Sequence, residues 1–424
     1  MIVAAQQEVM AHGAAEPPLG RRAAFRFIFA AQVMNAISFG LMGPVMPNLL
    51  KSFTGGDSAA AALWIMVFAV TWGVVQLFCG PILGQLSDRF GRRPVMLISI
   101  FGLGADFLFM AFAPTLGWLL VGRILNGMTA SSFSTANAYV ADITAPENRA
   151  HRFAVMASAV SVGLVLGPVV GGTLAEFNLR LPFMVAAALS LLNGLYGLFV
   201  LPESLPPEKR IETFRWSAAN PVGALGFLKR HAELYRLAGM GFLFQFSQTV
   251  WPNVFVLYGG YRYHWSPGFV GLVLAVSGGV GACVQIGLIG RLVRWIGERG
   301  VLVIGTVTGA VGMAIAGWAP QGWIYLISMP FHIGSGMILP GLMGLMSRAV
   351  AANEQGRMQG VNQSLQGIAV VVGPMLYSPI FAWSVRHDAS VHQPGLAFYI
   401  SAIAIFAIFL LTLGIAYAPR ARAA

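Results

Sequence analysis

A short polar segment between two long apolar runs occurs twice in this chain, and the copies begin 206 residues apart. The first copy extends from Gly84 to Val95 and the second from Gly290 to Arg299. The pair Gly167-Pro168 recurs at the same offset, as Gly373-Pro374. Two landmarks that share one offset, close to half of the 424 residues, predict a duplicated unit. In membrane proteins such duplications are typical of transporters.

The composition indicates a protein that lies in a lipid bilayer. Hydrophobic residues make up 57% of the chain and charged residues only 10%, whereas soluble domains carry about 25% charged residues. The net charge of +11 comes from short basic clusters between apolar runs. Because no basic face interleaved with stackable aromatic residues is present, nucleic acid is not expected as a partner.

Twelve apolar segments are long enough, at 1.5 Å per residue, to cross about 30 Å of hydrocarbon as helices. We number them span one to span twelve in chain order. They lie at 25–50, 61–83, 94–114, 117–140, 153–176, 180–201, 237–260, 267–290, 300–319, 321–347, 360–384 and 395–418. The predicted fold class is all-α integral membrane, with twelve transmembrane helices in two pseudo-symmetric six-helix bundles.

The predicted domains follow from these spans. We expect a first bundle at 25–201 and a second at 237–418, with tails at 1–24 and 419–424. The connector at 202–236 is predicted to carry a short surface helix near Pro221 to Arg236.

The distribution of lysine and arginine predicts the orientation. With both termini in the cytoplasm, inside segments hold 21 of the 26 basic residues, counting Arg26 at the boundary of span one, and outside loops hold four. Basic residues concentrate on the cytoplasmic side of membrane proteins, so we expect a multi-pass inner-membrane protein with cytoplasmic termini.

The first repeated segment is predicted to be a gating loop. Glycines allow close backbone approach, and Asp88 can pair with a neighbouring arginine where two helices end. Such a cluster can stabilise one conformation and release it when its contacts break. The alternative is a basic loop that only sets the topology. The predicted gating residues are Gly84, Asp88, Arg89, Gly91, Arg92 and Arg93.

Span five carries glycines every four residues, which predicts a smooth helical face for a close neighbour. A proline in the same stretch removes a backbone hydrogen bond and permits a bend. Ordinary helix packing and a bendable seam are both compatible with this pattern. The residues are Gly163, Gly167, Pro168, Gly171 and Gly172.

Two charged residues lie well inside predicted spans, away from the span ends: Asp106 in span three and Arg123 in span four. Their depths are similar, so an ion pair is feasible, and a buried charge in a membrane needs such a partner. Burial favours the neutral carboxyl group while a guanidinium favours the ionised one, which makes Asp106 a candidate proton carrier. The alternative is a purely structural pair.

Polar residues within spans generally turn inward, where they bind ligands or pack between helices. Together with aromatic residues, some are predicted to line a cavity for a bulky, partly apolar solute. The candidates are Asn35, Asn126, Gln245, Gln248, Trp251, Gln285 and His332. No cofactor or metal site is predicted, and no ATP-binding or hydrolase motif is present, so an enzyme is not expected.

The motifs together resemble those of the major facilitator superfamily, within it the twelve-span drug:proton antiporters of the tetracycline-efflux group. Gly84 to Val95 matches the superfamily's loop signature, Leu120 to Gly127 resembles its span-four arginine motif, and Gly163 to Gly172 is similar to its antiporter motif. The resemblance implies alternating access, with protons exchanged for an exported solute. It covers nearly all of residues 25–418.

The chain departs from the tetracycline group at two acidic positions. Asp106 matches the carboxylate that the group carries in span three, but Asn35 and Gly309 stand where carboxylates are expected in spans one and nine. The absence of these two carboxylates argues against metal-chelated tetracycline as the solute. We therefore expect a monomer that exports another small amphiphile by proton-coupled efflux. The alternatives are a proton symporter or exchanger for a metabolite or siderophore and, more remotely, a receptor without transport.

Overall fold

The structure is a computed structural model that describes residues 19–214, 223–230, 232–351 and 354–414. These residues form an all-helical protein, and ten of the described helical segments are long and apolar enough to cross a membrane. The α-helices are Leu19–Met42, Met46–Phe53, Ser58–Phe90, Arg92–Phe112, Leu116–Thr129, Ser132–Ile143, Arg149–Phe177, Leu181–Val200, Ala232–Gln248, Val256–Arg262, Pro267–Gly287, Ile289–Trp318, Gly322–Gly334, Ile338–Arg348, Gln355–Arg386, Asp388–Val391 and Leu396–Leu413.

The prediction of span four as one continuous helix was wrong. The helices Leu116–Thr129 and Ser132–Ile143 are separated by a break at residues 130–131. The Ser131 hydroxyl lies 3.0 Å from those of Ser134 and Thr135. Hydroxyl side chains at such a position compete with the backbone for hydrogen bonds, which accounts for the interruption.

Span seven is also interrupted, where a continuous helix was predicted. Ala232–Gln248 is followed by a π-helix at Trp251–Phe255 and then by Val256–Arg262. Pro252, in the π-helix, has no backbone N–H to donate, and one extra residue per turn accommodates that loss.

The ends of the predicted domains fall partly outside the described residues. The first helix begins at Leu19, six residues before the predicted start of span one, and residues 1–18 lie outside the described ranges. The described part of the predicted surface helix near Pro221 to Arg236 consists of a 3₁₀ helix, Gly223–Arg230, and the first residues of the α-helix Ala232–Gln248. Residues 415–424, which include the predicted tail, also lie outside the described ranges. The bundle limits at 25–201 and 237–418 therefore stay predictions.

Span five packs between span one and span eight through its glycines. A side chain at Gly167 would meet the backbone of Gly40 at 2.7 Å, and one at Gly163 would meet Ala36. A side chain at Gly172 would meet the carbonyl oxygen of Pro267 in span eight. At these positions the backbones of neighbouring helices are in direct contact, and only glycine leaves room for that contact.

The two halves of the chain meet tightly at one face of the molecule. We call the face that carries the loops at 84–93 and 290–299 the basic face, and the opposite face the far face. At the far face the Ser266 hydroxyl donates to the Glu176 carboxylate at 2.8 Å. A side chain at Gly271 would meet the carbonyl oxygen of Pro168. Nearer the basic face, a side chain at Gly278 of the same span would meet Val165 of span five only at an ordinary contact distance of 3.7 Å.

The tight packing at the far face predicts that one substitution has different effects at two glycines of span eight. Gly271→Val should separate the halves at the far face because its side chain meets the backbone of span five, whereas Gly279→Val should not because a side chain there meets nothing within 4 Å. The measurement is disulfide formation between Glu176→Cys and Ser266→Cys in a background with Cys79→Ser and Cys283→Ser. We expect several-fold slower cross-linking with Gly271→Val. Equal rates in both variants would contradict the far-face closure.

Candidate functional site: a buried ion pair and two related loops

Asp106 and Arg123 form an ion pair inside the first half of the molecule. The Arg123 Nη2 atom lies 2.7 Å from Asp106 Oδ2, and the Asp106 side chain is fully buried. They are the only buried charged residues in the described part of the chain. Removing either partner would leave a buried charge without compensation, so the two residues depend on each other.

The surroundings of the pair are apolar and provide weak hydrogen-bond partners. The second contacts of Arg123 Nη2 are thioether sulfurs, Met42 Sδ at 2.9 Å and Met110 Sδ at 3.3 Å. Sulfur is a poor acceptor. Neither oxygen of Asp106 accepts a well-aligned hydrogen bond from a described residue. The carboxylate is therefore stabilised mainly by the nearby guanidinium charge.

Gly122 brings the two helices close enough for this pair. A side chain at this position would lie 2.9 Å from Asp106 Oδ1 and 2.8 Å from the Phe109 side chain. Span three can therefore pack directly on span four beside the arginine. The sequence Gly122-Arg123 thus provides both the space for the carboxylate and its counter-charge.

The first predicted gating loop is held by a network of charges at the basic face. Arg92 pairs with Asp88 at 2.5 Å and with Asp142, at the end of span four, at 3.0 Å. Glu203, from the predicted connector, accepts hydrogen bonds from the backbone N–H groups of Arg92 and Arg93. A carboxylate at a helix N-terminus is favourable, so Glu203 fixes the start of span three.

The other gating residues have separate local roles. Gly91 adopts a φ of 107°, a conformation that favours glycine and lets the chain turn into span three. Arg93 donates to the backbone oxygen of Leu198 at 2.5 Å. The Arg89 guanidinium lies 5.3 Å from the centre of the Phe90 ring. A side chain at Gly84 would meet nothing within 4 Å.

The second loop repeats the ion pair of the first with the charges reversed. At the offset of 206 residues, Arg92 corresponds to Glu298 and Asp142 corresponds to Arg348. Glu298 and Arg348 are paired at 2.5 Å. Gly297 adopts a φ of 75°, as Gly91 adopts a positive φ in the first loop. In each half, therefore, one salt bridge joins the loop to the end of a later span: span four in the first half and span ten in the second.

The same offset shows that the buried ion pair has no charged counterpart. Asp106 corresponds to Gly312 and Arg123 to Met329. A side chain at Gly312 would lie 2.7 Å from the backbone nitrogen of His332. The interior of the second half is therefore closed by packing where the first half holds two charges.

Two of the predicted cavity residues occupy related positions and share a type of partner. Asn126 and His332 are 206 residues apart. The Trp72 indole N–H donates to Asn126 Oδ1 at 2.6 Å, and the Trp251 indole N–H donates to His332 Nδ1 at 3.2 Å. In the neutral histidine this hydrogen bond places the proton on Nε2. Each half thus presents an indole fixed by a polar side chain.

The structure does not bring all seven predicted cavity residues together. Asn35 is 1% exposed, and its amide atoms have no hydrogen-bond partner among the described residues. It is therefore a core residue in this conformation rather than a cavity wall, since span five packs against this part of span one. Gln245 and Gln248 are half-buried in span seven, and Gln285 is exposed in span eight.

Several contacts could not be assigned from the sequence. Glu203 and Asp142 had no motif of their own, yet both hold the first loop. The Glu176–Ser266 contact joins spans five and eight, which are distant in the sequence, and neither residue was a predicted site residue. The 206-residue offset could have identified the Glu298–Arg348 pair, because it maps onto Arg92–Asp142.

Comparison with known proteins decides the family. The profile of the Major Facilitator Superfamily matches residues 28–374. The chain belongs to the major facilitator superfamily. Its members are transporters rather than enzymes.

Curated superfamily members related to this chain include drug-resistance proteins. The class C tetracycline resistance protein of Escherichia coli is 35% identical over 357 residues, 84% of this chain and 89% of that protein. The class H protein of Pasteurella multocida is 30% identical and covers 91% of this chain and 94% of its own length. Multidrug resistance protein 2 of Bacillus subtilis (strain 168) is 27% identical, covering 85% and 88%. This chain is therefore a superfamily transporter related to tetracycline and multidrug efflux proteins.

Solved structures of the superfamily share the fold. The human organic anion transporter MFSD10 (TETRAN) has a TM-score of 0.68 at 21% identity, covering 94% of this chain and all of that chain. The nucleoside transporter NupG has a TM-score of 0.74 at 14% identity, covering 92% and 99%. At this identity the likeness concerns the fold alone.

The buried pair predicts a specific pattern of stability in this superfamily member. Arg123→Met should lower the free energy of unfolding by about 3–5 kcal/mol, because Asp106 is left buried without a counter-charge. Adding Asp106→Asn should restore most of that loss. The measurement is unfolding by sodium dodecyl sulfate in mixed micelles. A double variant as unstable as Arg123→Met would show that the two side chains are not coupled.

The reversed salt bridge can be tested by exchanging its charges. Glu298→Arg places two like charges at the basic face and should lower the free energy of unfolding in mixed micelles by up to about 1 kcal/mol. The double variant Glu298→Arg with Arg348→Glu recreates the polarity of the first loop and should recover that stability. An equal loss of stability in the double and single variants would contradict a pairwise role.

Proposed function

We propose that this chain exports small amphiphilic, drug-like molecules in exchange for protons by alternating access. The observation that carries the proposal is the buried Asp106–Arg123 pair at 2.7 Å, with Arg123 about two helical turns before the span-four break. A carboxylate that lacks well-aligned hydrogen bonds can bind a proton at low cost once its counter-charge moves away. The relation to multidrug efflux proteins supports an amphiphilic solute.

The orientation belongs to the same proposal. The basic face is the cytoplasmic face of the inner membrane, because it carries most of the arginine residues. Spans five and eight pack at backbone contact at the far face but only at ordinary side-chain distance at Gly278, nearer the basic face, and this difference supports a conformation that faces inward. Release of Glu176 from Ser266 would open the exit route.

The solute is proposed to be an amphiphile other than metal-chelated tetracycline. Asn35 is buried and uncharged. At Gly309 a side chain would lie 2.8 Å from Ser335 Cβ, which leaves no space for a carboxylate. The indole groups of Trp72 and Trp251 are half-buried and offer flat apolar surfaces in the two halves. They are the proposed contacts for an aromatic part of the solute.

The test uses purified protein in liposomes with its basic face outward and an acidic lumen. Ethidium should accumulate only when the pH difference is present, and Asp106→Asn should reduce that accumulation at least about tenfold. The variant should still exchange ethidium at equal pH, since exchange without a pH difference does not use the coupling group.

Glu208→Gln is the matched control, because Glu208 is an exposed carboxylate of the connector. It should transport like the unchanged protein. Ethidium movement that ignores the pH difference would overturn proton coupling. Binding of ethidium without any flux would indicate a receptor instead. Net movement of ethidium out of the acidic lumen, together with protons, would indicate a symporter.

A further inference from the structure

An apolar groove lies along span eight and ends at the basic face. Its volume is about 570 Å³. The walls that matter below are Val276, Gly279, Val280, Cys283, Gly287 and Arg291. None of them belongs to the buried ion pair, to the salt bridges made by Arg92 and Glu298, or to the proposed solute contacts.

The groove faces lipid rather than the other half of the molecule. Gly278 lies against Val165 of span five. Val276, Val280 and Gly287 are two or nine residues from Gly278, so they point roughly 160–200° away from span five. Val276 and Val280 are 57% and 46% exposed. In a membrane protein an exposed apolar face of this kind is covered by hydrocarbon chains.

The length of the groove matches one leaflet of a bilayer. From Val276 to Gly287 span eight rises roughly 16 Å, at 1.5 Å per residue. One leaflet contributes about half of the 30 Å of hydrocarbon. Side chains at Gly279 and Gly287 would meet nothing within 4 Å, so the missing side chains keep the groove open over this length.

Arg291 lies at the end of the groove where the headgroup of a bound lipid would lie. Arg291 is exposed and makes no ion pair or side-chain hydrogen bond with a described residue. Gly297 breaks the helix that begins at Ile289, so residues 289–296 form a separate short piece at the basic face. Ile289 is buried beneath this piece, while Trp295 is 79% exposed. Tryptophan and arginine together on an amphipathic piece are typical of the headgroup region.

We propose that this groove binds one acyl chain of an anionic phospholipid from the leaflet at the basic face, with its phosphate on Arg291. The apolar walls hold the chain, and the arginine selects a negatively charged headgroup over a zwitterionic one. The bound lipid covers the exposed side of span eight. The opposite side of span eight contacts span five of the other half.

The experiment is native mass spectrometry of the purified full-length chain, titrated with phosphatidylglycerol or phosphatidylethanolamine of identical acyl chains. The unchanged protein should retain phosphatidylglycerol preferentially. Arg291→Gln should reduce that preference about fivefold, the loss of one arginine–headgroup attraction. Gly279→Leu should fill the groove and reduce retention of both lipids.

Two matched variants control for general effects of charge and of span eight. Arg357→Gln removes an exposed arginine of the same half that does not line the groove, and Gly281→Leu adds the same side chain where nothing lies within 4 Å. Both should bind lipid like the unchanged protein. Equal retention of the two lipids, or equal effects of Arg357→Gln and Arg291→Gln, would overturn the headgroup assignment.

A second readout follows from the exposed thiol in the groove. In a Cys79→Ser background, phosphatidylglycerol should slow the alkylation of Cys283 by a membrane-soluble maleimide several-fold, and Gly279→Leu should remove that protection. Unchanged alkylation at saturating phosphatidylglycerol would show that the lipid does not occupy the groove.

Discussion

The close backbone contact of span five with its two neighbours is the constraint on which the rest of this structure depends. Gly163 and Gly167 admit span one from one side, and Gly172 admits span eight of the other half. In lipid there is no hydrophobic driving force between helices, so close packing of this kind supplies much of the free energy of helix association. The same helix therefore fixes the first half internally and joins it to the second.

The buried pair adds a chemical requirement to this packing. Asp106 and Arg123 lie on neighbouring spans, and Gly122 leaves room for the carboxylate between them. Each charge is tolerated in the membrane interior only because of the other. A change that moves span three relative to span four must therefore also change the protonation or the pairing of Asp106.

The sequence predicted the class of fold and the need for a partner at each charge inside the spans, because hydrophobic length and the cost of a buried charge are local properties. It placed Asp106 near Arg123 and glycines on one face of span five. It could not predict that span four breaks at residues 130–131 or that span seven contains a π-helix. Those breaks depend on hydroxyl and proline effects that compete with strong apolar signals.

The candidate site was harder to predict where partners come from distant parts of the chain. Glu203 and Asp142 meet the first loop only after the fold has formed. Asn35 is polar and lies in a span, which favoured a cavity position, but packing of span five against span one places it in the core. Periodicity shows which face is polar and not which neighbour covers that face.

The unequal interiors of the two halves have a consequence for voltage. An electric field across the bilayer does work on charges that move through it, about 2.3 kcal/mol per elementary charge per 100 mV. Asp106 and Arg123 lie in the first half, and their counterparts Gly312 and Met329 carry no charge. The pair is neutral as a whole, so the field does net work on the buried residues of the first half only when a proton on Asp106 leaves the positive charge of Arg123 uncompensated. The described buried residues of the second half carry no charge on which the field can act.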